Sequence, residues 1–115
     1  MKETLHIYVR CSGDRQKENS VPRQKDKGKQ FSESMNMKHR FWIDEGKSRF
    51  GKLDLREQIT ELFTLVEIGQ VKHIWVEDWS RLTGEIEETL KIETYVLNGK
   101  LKIYEGLSGN KEYKP

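Results

Sequence analysis

The sequence is short of the residues that stabilise small secreted proteins or anchor membrane proteins. Its single cysteine, Cys11, cannot form an internal disulfide, and only two prolines interrupt the 115 residues. No signal peptide and no apolar run of membrane-spanning length are present. These absences argue against a disulfide-rich secreted domain and a transmembrane protein, and they predict a protein of the reducing cytoplasm.

An excess of one charge is also missing. The 21 Lys and Arg residues are nearly balanced by 19 Asp and Glu, which leaves a net charge of +2. The chain is therefore not a general polyanion binder, although a local basic cleft stays possible because total charge does not report its distribution. Hydrophobic residues make up 34% of the chain and occur in periodic segments. We predict one globular domain over residues 1–115.

Histidine is scarce, and its three copies do not form a catalytic or metal-binding pattern. His6, His39 and His73 lie within or beside predicted strands and share no loop. We interpret them as structural, so neither a Ser-His-Asp triad nor a zinc site is predicted.

What the sequence does contain is a regular alternation of strand and helix patterns. Four strand patterns are predicted, at residues 4–10, 39–44, 71–77 and 101–105. Helical patterns run from Ser20 to about Met35, from Leu53 to Ile68 and from Glu85 to about Asn98, and the first contains an unfavourable glycine, Gly28. Residues 106–115 are polar and predict a loose end. This order predicts an α/β fold whose mostly parallel central sheet of four to five strands carries helices on both faces.

Three polar loops leave the carboxyl ends of the predicted strands, where ligands bind in such sheets. They read "RCSGDRQ", "DEGKSRFGK" and "DWSRLTG". Their reactive side chains, with one more from the first turn of the following helix, are Arg10, Ser12, Ser48, Arg49, Arg81 and Arg56. Several guanidiniums around one hydroxyl suit a phosphoryl substrate, because they match its oxygens and neutralise developing charge. A serine can attack a phosphodiester in such a site without a neighbouring histidine.

Other readings of the same residues stay open. A serine in a polar loop is usually a turn former, and most arginines are solvated. Acidic residues at strand ends can hold Mg²⁺ in a metal nuclease, and the candidates are Asp44, Glu45, Glu77 and Asp78. The run "RQKDKGKQ" at 23–30 is interpreted as a solvated helix face, with a nucleic-acid backbone as the alternative contact.

At "YVRCSGDRQ" the sequence resembles the catalytic domain of serine recombinases, the resolvase/invertase family that includes large serine integrases and transposases. The resemblance covers residues 4 to 107 and is closest to the large recombinases. The family pattern Tyr-x-Arg-x-Ser with a later glutamine is matched by Tyr8, Arg10, Ser12 and Gln16. Three further motifs, "SVPRQ", "DEGKSRF" and "EDWSRLTG", place Ser20, Gln24, Asp44, Ser48, Asp78, Ser80 and Arg81 in register, and Arg56 keeps its spacing to Arg81.

The resemblance implies a mechanism. Ser12 would attack a DNA phosphodiester, form a 5′-phosphoserine link and release a 3′-hydroxyl. Arg10, Arg56 and Arg81 would bind the phosphate, with Gln24 and Ser48 ordering the site. The remaining motif residues are expected to support them: Tyr8, Gln16, Asp44, Asp78 and Ser80. Double-stranded DNA is the implied partner, no metal or other cofactor is implied, and the full-length protein is expected to assemble into dimers and tetramers.

Two departures from the family pattern bear on activity. Gly84 stands where the last motif has a final arginine, and losing one such donor costs roughly 10²–10³ in rate. Arg49 or Lys52 is a candidate replacement. The sequence also stops at Pro115, before the family's oligomerisation helix and DNA-binding domain. We therefore expect these residues alone to bind DNA weakly, without site specificity and with little recombination; the alternative is a weakened or inactive remnant with a DNA-binding or assembly role.

Overall fold

A computed structural model of the chain describes residues 3–11, 17–45, 57–79, 82, 86–106 and 109–114. These residues form the elements β1 (Thr4–Cys11), α1 (Lys17–Ser34), β2 (Lys38–Glu45), α2 (Glu57–Glu67), β3 (His73–Val76), α3 (Ile86–Leu97), β4 (Lys102–Glu105) and β5 (Lys111–Glu112). The five strands lie in the order β2-β1-β3-β4-β5. The first four are parallel and β5 is antiparallel to β4. The predicted fold class is confirmed.

Alternation along β1 places helices on both faces of the sheet. On one face Leu5, Ile7 and Val9 pack with Phe31 of α1. On the other face Tyr8 packs in a cluster with residues of β2, α2 and α3. Each face thus has its own apolar core, and the carboxyl ends of the strands emerge between the two layers.

Helix α1 approaches the sheet closely because it has a glycine at the contact. Gln24, Gly28 and Phe31 form a buried stripe at helical spacing. A Cβ atom on Gly28 would lie 2.5 Å from a methyl carbon of Ile7 and 3.0 Å from the Trp75 ring. The glycine that weakens the helix pattern in the sequence is therefore required by packing. The helix begins at Lys17, three residues before the predicted start at Ser20.

Helices α2 and α3 end at the glycines that the sequence predicts as stops. Gly69 and Gly99 have φ of 80° and 75°. After α2, Gln70 N donates to Leu65 O at 2.8 Å, and after α3, Lys100 N donates to Tyr95 O at 2.9 Å. These bonds satisfy the last carbonyls of each helix. No helix in the described part of the chain is long and apolar enough to cross a bilayer.

The prediction of a loose carboxyl-terminal segment is wrong for residues 109–114. Two of them form β5, and Tyr113 N donates to Ile103 O at 2.7 Å. The Tyr113 ring stacks on Trp79, with centroids 4.1 Å apart and an interplanar angle of 13°. Asn110 accepts a hydrogen bond from the Trp75 indole at 2.9 Å. These contacts extend the sheet beyond β4 and pack the carboxyl-terminal segment against Trp79, which follows β3.

His6 is a buried and uncharged member of the core. The Trp42 indole donates to His6 Nδ1 at 3.0 Å, which requires an unprotonated nitrogen there. Burial, followed by the charges of Arg40 and His73, lowers the pKa of His6 from 6.5 to about 4. The structural role predicted for this histidine matches these contacts.

The lowered pKa of His6 predicts an acid-dependent loss of stability. The unfolded state takes up a proton more readily than the folded state, so the stability due to this ring is present above pH 6.5 and is lost as the pH falls towards 4. The loss in free energy of unfolding is at most on the order of 3 kcal/mol, and less where solvent screens the ring. Urea unfolding across this range measures it. His6→Asn should flatten this part of the curve, and His39→Asn, at an exposed ring, should not; parallel curves for His6→Asn and wild type would contradict the assignment.

Candidate active site

The described candidate residues lie at the carboxyl end of the parallel sheet. In the β1–β2 register Arg10 is opposite Asp44. Tyr8 precedes Arg10 by two residues in β1, and Gln24 reaches the same point from α1. The structure thus brings Tyr8, Arg10, Gln24 and Asp44 together; Arg10 and Asp44 were named from the strand ends, and Tyr8 and Gln24 from the family resemblance. Asp78 lies two residues beyond the end of β3, at the same end of the sheet.

Asp44 joins β1, β2 and α2 through three hydrogen bonds. Its Oδ1 accepts from Gln58 N at 3.0 Å, and its Oδ2 accepts from Ile59 N at 3.1 Å and from the Tyr8 hydroxyl at 2.8 Å. The two amides belong to the first turn of α2, whose N–H groups lack partners within the helix. Asp44 therefore fixes the start of α2. Arg56 directly precedes that helix in the sequence and lies outside the described residues.

Gln24 holds the backbone at the end of β1. Its Nε2 donates to Arg10 O at 3.1 Å, and its Oε1 accepts from Arg10 N at 3.4 Å. The side chain is fully buried. The Gln24 carboxamide thus bonds both the backbone N–H and the backbone C=O of Arg10. A neighbouring parallel strand would offer the same donor and acceptor to this residue, so the side chain takes the place of a strand at this point. The backbone two residues before Ser12 is fixed in this way.

Glu77, which directly follows β3, is committed to an ion pair. Arg23 Nε and one terminal nitrogen donate to its two oxygens, each at 2.8 Å, and Lys27 Nζ lies 3.3 Å from Oε2. The hydrogen bond from Arg23 is the largest cause that holds the pKa of Glu77 below its usual value, despite burial. The interpretation of the run at 23–30 as a solvated helix face is therefore wrong at the buried Gln24 and Gly28, whereas Arg23 and Lys27 pair with Glu77 and stay exposed to solvent.

The sequence carried one signal for this ion pair. A carboxylate that is buried directly after a strand needs a cation or hydrogen-bond donors, because an unpaired charge is costly to bury. It did not identify Arg23 as that cation. The contacts of Asp44 and Glu77 also disfavour the magnesium reading, since both carboxylates already hold protein donors. Among the residues that the structure describes, no group of three or more His, Cys, Asp and Glu is placed to hold a metal ion.

Trp79 and Leu82, which flank Ser80 and Arg81 in the sequence, are each held by described contacts. Glu105 of β4 accepts a hydrogen bond from Trp79 N at 2.8 Å. Leu82 N donates to Trp79 O at 3.0 Å, and the Leu82 side chain is fully buried. Glu105 and the stacking partner Tyr113 escaped the sequence analysis, because a loop's partners are not encoded near it.

Several predicted site residues lie outside the described ranges. They are Ser12, Gln16, Ser48, Arg56, Ser80 and Arg81, together with Gly84 and its candidate replacements Arg49 and Lys52. Their roles stay predictions.

Comparison with known proteins identifies both the sequence pattern and the fold. The family profile described as "Resolvase, N terminal domain" matches residues 5–106. The N-terminal catalytic domain of TP901-1 integrase is 22% identical, with 92% of this chain and 78% of that chain covered and a TM-score of 0.72. The C-terminal catalytic domain of ISC1926 TnpA, an IS607-like serine recombinase, is 26% identical, with coverages of 90% and 70% and a TM-score of 0.73.

A resolvase family site-specific recombinase from Streptococcus pneumoniae is 22% identical, with 96% of this chain and 76% of that chain covered and a TM-score of 0.73. At 22% identity a structural likeness establishes the fold alone. No curated protein sequence matches the chain at a significant level.

Proposed function

The chain belongs to the resolvase N-terminal domain family, and from this premise we propose that residues 1–115 are the catalytic domain of a site-specific serine recombinase. In this proposal the domain cleaves and rejoins double-stranded DNA through a covalent link to Ser12. The complete recombinase would act as a dimer or tetramer on its DNA.

The observation that carries the proposal is the meeting of Arg10, Tyr8, Gln24 and Asp44 at one end of the sheet. Consecutive Cα atoms are 3.8 Å apart, so Ser12 lies within about 8 Å of Arg10 along the chain. In the sequence, Arg56 directly precedes α2, whose first turn Asp44 caps, and Arg81 follows Trp79 by two residues. These positions in the sequence support the proposal that Arg10, Arg56 and Arg81 share one site.

The chemistry that these residues support is a transfer of a phosphoryl group between two oxygens. Ser12 Oγ forms a bond to phosphorus as its proton leaves, and the bond from phosphorus to the 3′ oxygen breaks. The 3′ oxygen takes up a proton and departs as a hydroxyl. The guanidiniums of Arg10, Arg56 and Arg81 would neutralise the charge that develops on the other phosphate oxygens. Attack by a 3′-hydroxyl on the phosphoserine reverses the steps and rejoins DNA.

Gly84 lowers the rate expected of this site. The missing guanidinium predicts a rate about 10²–10³ below that of a domain with the complete motif. A weakened or inactive domain with a DNA-binding or assembly role is the alternative that Gly84 favours. The two candidates differ in one measurable product, the covalent protein–DNA adduct.

The test is to trap this adduct. Incubation of the chain with duplex DNA in EDTA, followed by denaturation, nuclease digestion and mass spectrometry, should find a nucleotide on Ser12. Ser12→Ala should abolish the adduct, whereas Ser34→Ala, at an exposed serine of α1, should leave it unchanged. Gly84→Arg should raise the initial rate of adduct formation by about 10²–10³. DNA cleavage that needs Mg²⁺ and survives Ser12→Ala would overturn the proposal, and the absence of adduct from both wild type and Gly84→Arg would favour the inactive alternative.

A further inference from the structure

A buried carboxylate joins α1 to the carboxyl end of the sheet at a place that the proposed chemistry does not use. Glu77 is 2% exposed, whereas the side chains of Arg23 and Lys27 are 45% and 44% exposed. The guanidinium bonds both carboxylate oxygens in a parallel pair. This geometry fixes the direction as well as the distance between the partners.

The ion pair lies beside the bond that holds Arg10. Gln24 follows Arg23 in α1 and Lys27 is one turn further, so the contacts to Glu77 and to Arg10 come from adjacent positions of one helix. Four residues after Gln24, Gly28 rests on Ile7 and Trp75. The helix thus packs on the sheet through the apolar contacts of Gly28 and Phe31. The ion pair adds a directional polar contact between α1 and the end of β3, next to the position of Gln24.

We propose that Arg23, Lys27 and Glu77 form a positioning clamp that seats α1 on the sheet, so that Gln24 holds the Arg10 backbone in place for the attack by Ser12. The catalytic half of this inference rests on the proposed function. Arg23 and Glu77 act through Gln24 and are positioning residues rather than groups that touch DNA.

If Arg23 instead binds DNA, the expected effect of replacing Glu77 on the reaction rate is the opposite. If the half-exposed guanidinium binds a DNA phosphate, removing the negative charge of Glu77 strengthens that contact and leaves the reaction unchanged or faster. If the three residues are a clamp, the loss of either side misplaces α1. A misplacement of about 1 Å in such a site costs on the order of 10² in rate.

The first arm of the test measures the single-turnover rate of the Ser12–DNA adduct. Arg23→Gln and Glu77→Gln should each lower it ten- to a hundred-fold. The double variant should fall no further than the slower single variant, because its two neutral amides leave no buried charge without a partner. Arg23→Lys keeps the positive charge but cannot bond both carboxylate oxygens in parallel, so its rate should lie between those of Arg23→Gln and wild type. Lys29→Gln removes one charge from an exposed position of the same helix and should match wild type.

The second arm needs no DNA. Hydrogen exchange of the Arg10 amide, which bonds Gln24, is compared with that of Ile7 in the same strand. Glu77→Gln and Arg23→Lys should speed exchange at Arg10 about ten-fold more than at Ile7. A role in overall stability alone would speed both amides equally, and that result overturns the clamp.

The two arms separate failure of the inference from failure of the proposed function. Adduct in wild type with unchanged rates in both glutamine variants overturns the clamp. An unchanged or faster rate for Glu77→Gln with a slower one for Arg23→Gln assigns Arg23 to DNA binding and also overturns it. Absence of adduct from both wild type and Gly84→Arg overturns the proposed function and, with it, the catalytic role of the clamp. Hydrogen exchange at the Arg10 amide still decides whether the clamp holds the Arg10 backbone.

Discussion

Replacing Asp44 with alanine is expected to lower the free energy of unfolding by about 3 kcal/mol. The carboxylate accepts from two amides of the first turn of α2, and removing such a cap costs about 0.5–2 kcal/mol. It also accepts from the hydroxyl of Tyr8, a fully buried side chain, and losing that acceptor costs about 1–3 kcal/mol. Urea denaturation measures the sum, and adduct formation should fall as well, because the helix that Asp44 caps directly follows Arg56 in the sequence.

Two further variants divide the loss of stability in Asp44→Ala between the helix cap and the bond from Tyr8. Asp44→Asn keeps an oxygen that can cap the helix and should cost about 1 kcal/mol. Tyr8→Phe removes only the bond from the hydroxyl and should also cost about 1 kcal/mol. If Asp44→Ala unfolds within about 0.5 kcal/mol of wild type, a typical surface effect, Asp44 does not hold α2 to the sheet.

Replacing Gly28 with valine is expected to have the second large effect, a loss of 3 kcal/mol or more. The first added carbon would already lie 2.5 Å from a methyl carbon of Ile7, and the Ile7 and Trp75 side chains are fully buried. Overpacking a core costs about 1–3 kcal/mol, and valine adds two more carbons at the same contact. Since Gln24 lies one turn earlier, the displaced helix should also release the Arg10 backbone.

The neighbouring position supplies the control for Gly28. Lys29→Val puts the same side chain at an exposed position of α1 and should cost well under 1 kcal/mol, the scale of helix propensity. Calorimetry or urea unfolding of the two variants measures how much stability is lost when valine is placed at the buried position 28 and when it is placed at the exposed position 29. Equal losses at the two positions would show that contact with the sheet does not limit the residue at 28.

The strands and helices were predictable because their signals are local. Leu55, Ile59, Leu62, Phe63 and Val66 repeat on one helix face, and of these Ile59, Leu62, Phe63 and Val66 are buried in the structure. Gly69 marks the end of that helix in the sequence and in the structure. The parallel sheet follows from alternating strands and helices, and with it follows the edge where ligands bind.

The contacts that build the candidate site were not predictable, because their partners are far apart in sequence. Arg23 and Glu77 are 54 residues apart, and neither has a local pattern that names the other. The cap of α2 comes from Asp44, 14 residues before Gln58, whereas capping rules examine the residue beside the helix. The need for glycine at position 28 was not predictable for the same reason. Helix propensity includes the cost of a glycine within the helix but not its contact with Ile7 in β1.

Two kinds of information pointed to the candidate site residues: the chemistry of the loops at the strand ends, and the resemblance to a family. Strand ends and side-chain chemistry pointed to Arg10, Ser12 and the other arginines. Tyr8 and Gln24 came from the resemblance, because an aromatic in a strand and an amide in a helix have no chemical signature of their own. The structure gives both a physical task, one as donor to Asp44 and the other as bonding partner of a backbone.

The stacked ring of Trp79 gives the protein an intrinsic optical probe. Of the three tryptophans in the sequence, Trp42 and Trp75 are buried at 1% and 0% exposure, whereas Trp79 is half-buried against Tyr113. Iodide in solution should therefore quench the fluorescence of Trp79 more strongly than that of Trp42 or Trp75. Because Trp79 precedes Arg81 by two residues in the sequence, a change in the quenched fraction on addition of duplex DNA would report the proposed binding near Arg81 in the unlabelled protein.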